Sequence, residues 1–217
     1  MKTVKCKIAN EIDVSEYLRK YNSILRISFN RLKDSVSQPD IKKEVNKKFE
    51  GLNSFIIQNA IVQAQGILNS WKSRKADFEK RNPGKQMKPP VFGGRKNLVR
   101  YLKKQISKDE FRKFRLMPMT IAGETRHRGN RLFNLDIANC MVAFKPKKGI
   151  LIPVKFAASK KQKAELLKMQ ELCLQNRFSV AISLDNEHVS FCYDEIKLFD
   201  GEHRFDGLKK NRVLGID

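Results

Sequence analysis

Residues Asn211 to Asp217 read Asn-Arg-Val-Leu-Gly-Ile-Asp and set one carboxylate at the far end of a short apolar strand. That is a common position for a catalytic acid, yet one carboxylate does little alone. The rest of the chemistry in the chain is cationic. Arg74, Lys75, Lys80, Arg81, Lys85 and Lys88, then Arg95, Lys96 and Arg100, then Arg126, Arg128 and Arg131 fall in dense basic stretches. The 45 Lys and Arg against 23 Asp and Glu leave a formal charge of +22, more than solubility needs, which points to a polyanionic partner. Nucleic acid comes before a membrane surface. Contact of these side chains with phosphates would release condensed counterions, giving sequence-independent affinity that weakens as salt rises. Any one of them could equally be a solvated surface charge; the net charge favours the reading for the set. Tyr21, Phe92 and Phe133 are candidate platforms for stacking unpaired bases, although single aromatics at helical spacing, Tyr21 above all, more often belong to a core.

The elements that must hold these groups follow from periodicity. Thr3 to Ile8 alternates polar and apolar residues, as a half-buried strand with lysines on its wet face does. Asp13 with Glu16 suggests a capping box opening a helix with Leu18, Tyr21, Leu25 and Phe29 or Leu32 on one side. Ser37-Gln38-Pro39 breaks the chain before a short lysine-rich helix. Asn53 or Ser54 then caps a longer one, whose stripe runs through Ile57, Ala60, Ile61, Ala64, Ile67, Leu68 and Trp71. Asn82-Pro83-Gly84 and Lys88-Pro89-Pro90 punctuate a basic loop, and Ser107 with Glu110 opens another short helix. Arg126 to Arg131, Arg-His-Arg-Gly-Asn-Arg, reads as too basic and too broken to bury.

Beyond it the period shortens. Leu132 to Ile137, Met141 to Phe144 and Ile150 to Phe156 predict strands, Lys160 to Gln175 an amphipathic helix, and Phe178 to Leu184 with Val189 to Tyr193 a hairpin across Asp185-Asn186-Glu187. One strand, then helices, then strands predicts an α+β fold, a small β-barrel interrupted by an α-helical insertion. No run of eighteen apolar residues, signal-peptide core or lipidation motif is visible, so no membrane partner and a cytoplasmic location are expected. Cys6, Cys140, Cys173 and Cys192 lie far apart with no C-x-x-C spacing and read as buried, reduced thiols, not zinc ligands.

The order of parts resembles the TnpB family of transposon-encoded RNA-guided nucleases and the related type V CRISPR effectors. The residues that carry the resemblance are the basic first strand, Tyr21-Asn22, Phe55-Ile56-Ile57-Gln58-Asn59, the linker Pro90-Val91-Phe92-Gly93-Gly94-Arg95-Lys96, the returning strands and Leu214-Gly215-Ile216-Asp217. The resemblance implies a wedge (WED) barrel built from 1–12 and 126–208, a recognition (REC) insertion with a basic linker over 13–125, and the start of a RuvC nuclease domain at 209–217. It implies guide RNA and double-stranded target DNA as partners, a prokaryotic or phage setting and action at the nucleoid. Phe55 and Gln58 would then contact a short target-adjacent DNA motif, an amide side chain being able to pair bidentately with adenine. Ser54 departs from a basic residue in the family pattern, so the motif read would differ.

Asp217 would be the first RuvC acid and a ligand for Mg²⁺. Two-metal hydrolysis needs several carboxylates around ions about 4 Å apart, so this chain alone is expected neither to hold the metal nor to cut. Two other readings stay open: a nuclease-deficient RNA-guided DNA-binding protein, and a basic structural RNA-binding protein.

Overall fold

The computed structural model describes residues 1–199. Asp217 and the expected start of a nuclease domain at 209–217 lie outside the described residues. The fold is α+β, with a curled seven-stranded antiparallel half-barrel and helices. The strands are β1 (Lys2–Ile8), β2 (Met119–Ile121), β3 (Phe133–Asp136), β4 (Met141–Lys147), β5 (Ile150–Ala157), β6 (Ala181–Leu184) and β7 (His188–Tyr193). Their order across the sheet is β2-β6-β7-β1-β5-β4-β3, so the first strand of the chain lies at the centre. Val4 and Cys6 are buried while Thr3, Lys5 and Lys7 face solvent, as alternation requires. β1 pairs along most of its length with β7 but meets β5 only at Lys7–Ala157 and Ile8–Phe156. The two halves of the sheet join at that narrow seam.

Five helices fill the chain between β1 and β2: α1 (Ser15–Lys33), α2 (Gln38–Lys48), α3 (Ser54–Arg81), α4 (Arg95–Leu102) and α5 (Lys108–Phe114). α6 (Lys160–Leu174) lies between β5 and β6, and a short α7 (Glu195–Leu198) follows β7. The apolar stripes are where periodicity puts them. Leu18, Tyr21, Leu25, Phe29 and Leu32 of α1 pack with Ile57, Ala60, Ile61, Ala64 and Leu68 of α3 in one core shared with the sheet. Ile67 and Trp71, also in the stripe, are partly buried and pack against this core, and α3 fully buries no residue beyond Leu68. Ser37 caps α2, Asn53 caps α3, and Ser107 with Glu110 closes a full capping box on α5.

Three expectations change. α1 starts at Ser15 after Val14 without a side-chain cap, and Asp13 instead accepts the Ser15 N–H at 2.8 Å in a local turn, so Asp13 and Glu16 form no capping box. The sheet resumes at Met119 and not after 125, because a three-residue strand is too short to show a period. Arg126 to Arg131 is not wholly exposed either: Gly129 and Asn130 are buried.

The helices are tied to the sheet by side-chain amides. β2 is an edge strand, pairing through the ladder only with β6. Along its flank, Asn22 donates to the Met117 carbonyl and accepts the Met117 N–H, both at 2.9 Å. Tyr21 donates to the Thr120 carbonyl at 3.0 Å, and Asn59 accepts the Ala122 N–H at 2.8 Å while donating to Phe55 O at 2.7 Å. A buried backbone group left without a partner costs more than a typical hydrogen bond gains. Cys6 and Cys173 are buried free thiols, their pKa values pushed up by burial to about 11 and about 12. No helix among the described residues is long and apolar enough to cross a membrane.

Asn59→Ala removes both bonds and strands the Ala122 N–H. It should lower stability by about 1–3 kcal/mol, read as a lower urea midpoint at unchanged slope. A midpoint equal to the wild type would mean that the amide does not hold α3 to the sheet.

Candidate nucleic-acid interface

The basic run Arg126 to Arg131 sits at one end of the sheet, where the chain leaves β2 and turns towards β3. Its construction separates anchors from presented groups. Asn130 is 2% exposed; its Nδ2 donates to Val180 O at 3.0 Å and lies 3.3 and 3.4 Å from the Ile121 and Ala122 carbonyls, while its Oδ1 accepts the Leu132 N–H at 3.0 Å. Gly129 O accepts the N–H groups of Glu124 and Val180, both at 3.0 Å. Gly129 has φ +90°, and a Cβ there would stand 2.4 Å from Cys173 Sγ on α6. Only glycine fits that backbone and that gap. With these two residues pinned, Arg126, Arg128 and Arg131 face outward. None of the three pairs with a carboxylate among the described residues. His127 Nε2 lies 3.4 Å from Glu124 Oε2.

The outward side chains border a cleft of about 500 Å³ whose walls include Asn134, Lys145 and Gln170. The start of α3 comes to the same region. The Asn53 N–H donates to Pro146 O of β4 at 2.9 Å, and the Arg131 guanidinium lies 5.3 Å from the Phe55 ring centroid, a cation–π contact. Ser54 is exposed and Gln58, one turn further on, is partly exposed. The structure thus brings Phe55 and Arg131 into contact and sets the first turn of α3 beside a cationic loop. Such an arrangement can hold phosphates on the arginines and offer polar side chains from a helix start to base edges.

Other predicted residues fall elsewhere. Arg74 begins about 24 Å along the α3 axis from Gln58 at 1.5 Å per residue, with its Nε donating to Ser70 O at 3.2 Å. Lys75 is drawn to Glu79 at 3.8 Å and lies 5.6 Å from the Trp71 ring centroid. Lys80, Arg81, Lys85, Lys88 and Lys96 are exposed on the end of α3 and the linker. Arg95 donates to Pro89 O at 3.1 Å, and Arg100 is exposed on α4, whose Tyr101 ring stacks on Phe111 of α5 at 5.1 Å. None of these residues lines the cleft.

Two stacking candidates are core residues. Tyr21 is 0% exposed, with its hydroxyl between Thr120 O and Gln63 Oε1, and burial raises its pKa. Phe133 is 1% exposed and stacks on Phe144 at 5.0 Å. No base can reach either ring, because each is enclosed where helix or strand meets the sheet. Phe92 is partly buried, edge-on to Phe29 at 5.4 Å. Sequence reasoning missed Asn130, Lys145 and Gln170 as parts of this region. The only signal was an Asn inside a basic run, where a carboxamide can serve as a buried backbone clamp. Among the described residues, no group of three or more His, Cys, Asp or Glu side chains could hold a metal ion.

Fold and site together define an α+β protein whose half-barrel and inserted helices carry an anchored cationic loop. Residues 1–195 match the family model described as the SSO2105 N-terminal domain, and the chain belongs to that family. A search of the curated proteins finds no match.

Gly129→Ala forces a Cβ against Cys173 and strains a left-handed backbone, and should destabilise the protein by about 1–3 kcal/mol. The thermal midpoint measures it. An unchanged midpoint would show that the loop tolerates displacement from α6.

Proposed function

We propose that this chain is the recognition part of an RNA-guided DNA-binding system of the TnpB type. In this reading the half-barrel corresponds to a wedge domain and α1 to α5 to the recognition insertion. A guide RNA and its heteroduplex with target DNA lie along the basic surfaces, while Ser54, Phe55 and Gln58 at the start of α3 meet the target-adjacent duplex. The observation that carries the proposal is the meeting of the α3 start with the Arg126–Arg131 loop, with Arg131 against Phe55. A helix start able to read bases then sits beside guanidiniums able to hold the flanking phosphates.

The chemistry supports a division of labour. Phosphate contacts give affinity and register, and amide contacts to base edges give discrimination. Cleavage would belong to a RuvC site to which Asp217 contributes the first acid. That residue lies outside the described residues, and the proposal here is for binding.

The test starts from the chain co-expressed with RNA. The bound RNA is sequenced, and binding is then measured to duplexes that carry a complementary target next to a randomised flank. A guide-dependent flank preference is expected. Gln58→Ala should flatten that preference by about tenfold or more, the value of one bidentate base contact, with RNA affinity nearly unchanged. An unchanged preference removes Gln58 from the reading. Converting Arg126, Arg128 and Arg131 together to Gln should weaken binding to all sequences and reduce the salt dependence by about two to three phosphate contacts. DNA binding that ignores complementarity would instead mark a plain basic RNA-binding protein.

A further inference from the structure

A different pair of arginines is held in a way that the exposed cations are not. Arg19, Ser23 and Arg26 follow one another on one face of α1 and form one wall of a cleft of about 510 Å³. Asp109, Arg112, Lys113, Arg115 and Leu116 form the other. Asp109 accepts from Arg112 at 2.9 Å and so answers one of these charges. Arg26 is partly buried, and its guanidinium donates to Ser23 Oγ at 3.2 Å. Among the described residues it pairs with no carboxylate. Burial first, and repulsion from Arg115 second, lower its pKa to about 10, so it remains charged at neutral pH with that cost uncompensated.

Arg115 is fixed from several sides. Its guanidinium lies 5.7 Å from the Phe111 ring centroid, its Cγ would stand 2.8 Å from a Cβ at Gly93, and the chain two residues on is clamped to α1 by the paired bonds between Asn22 and Met117. Gly93 has φ +90°, so the linker can pass this close only as glycine. The fold therefore lines one cleft with two guanidiniums, packs the stem of Arg115 against Gly93 and Phe111, and leaves Arg26 without a carboxylate partner among the described residues.

We propose that this cleft between α1 and α5 binds a phosphate group, received by the forks of Arg26 and Arg115 with Lys113 and Ser23 beside them. Guanidinium forks match phosphate oxygens bidentately, and a pre-organised pair loses little freedom on binding. The cations of the Arg126–Arg131 loop are exposed to water, whereas Arg26 is partly buried with no carboxylate partner among the described residues, so an arriving anion relieves its charge. The proposal goes beyond guided DNA recognition and stands without it. Its phosphate can come from a nucleic-acid strand or from a small phosphorylated molecule.

The experiment is thermal melting of the full chain with pyrophosphate at fixed ionic strength, followed by competition of pyrophosphate against a labelled single-stranded RNA. The variant pair is Arg26→Gln with Arg115→Gln. The control pair, Lys103→Gln with Lys108→Gln, removes the same charge from exposed sites. Pyrophosphate should raise the melting temperature of the wild type and the control, and its affinity should fall about tenfold for each guanidinium removed from the cleft. Without ligand the variant should melt no lower than the wild type, which separates lost binding from lost folding. Displacement of RNA by pyrophosphate, abolished in the variant, assigns the phosphate to a nucleic-acid strand. Stabilisation without displacement assigns it to a small phosphorylated ligand. Equal responses from the variant and control pairs, or no stabilisation of the wild type, overturn the proposal.

Discussion

β2 runs for only three residues at the edge of the sheet, and the chain around it turns partly buried backbone groups towards α1 and α3. Ladder pairing with β6 satisfies one side. The other is satisfied by side chains: Tyr21 on Thr120, Asn22 on Met117, Asn59 on Ala122, and Asn130 reaching Ile121 and Ala122. Carboxamides suit this place because each carries a donor and an acceptor, so it can stand in for a neighbouring strand. An edge covered in this way does not offer itself to another chain. These bonds add directional contacts to the apolar packing that joins α1 and α3 to the sheet.

The same device builds the basic loop. A run of arginines repels itself and gains little from local structure, so its shape must come from residues that bury. Gly129 and Asn130 supply it by joining the loop to β2, to the chain before β6 and to α6. The outward arginines then keep fixed positions relative to the start of α3, which Asn53 ties to β4. Near the other end of the helical layer, the Asn22 clamp and the passage of Gly93 over Arg115 hold a second group of cations. These cations are therefore carried on anchored segments, which lets electrostatic attraction have a geometry.

Much of the α+β order was legible in the residue pattern. The stripes of α1 and α3, the alternation of β1, the Asn53 cap of α3 and the capping box of α5 are local consequences of side-chain spacing and of short-range hydrogen bonding, and they appear where the pattern puts them. Asp13 and Glu16 show the limit of that logic: the spacing suited a capping box, but the chain turned one residue later. β2 was invisible because three residues carry no period. Of the site, the cationic loop was legible from composition, while Asn130 as its anchor, Lys145 and Gln170 as cleft walls and Arg26 in one cleft with Arg115 were not. These are relations between residues far apart in sequence, and spacing holds no record of them.

The sequence by itself determined the charge, the helical and strand periods and the order of one strand, inserted helices and returning strands, because each depends on neighbours a few residues away. Tertiary structure decided which side chains are available. It enclosed Tyr21 and Phe133, which as residue types could have stacked on bases, and left Arg126, Arg128 and Arg131 outside. It also set Arg131 on Phe55 and brought Arg115 and Arg26 to one cleft. The reason is that burial and cation contact depend on how helices and sheet meet in space, and here that meeting is set by a few buried amides bonded to the backbone around one short edge strand.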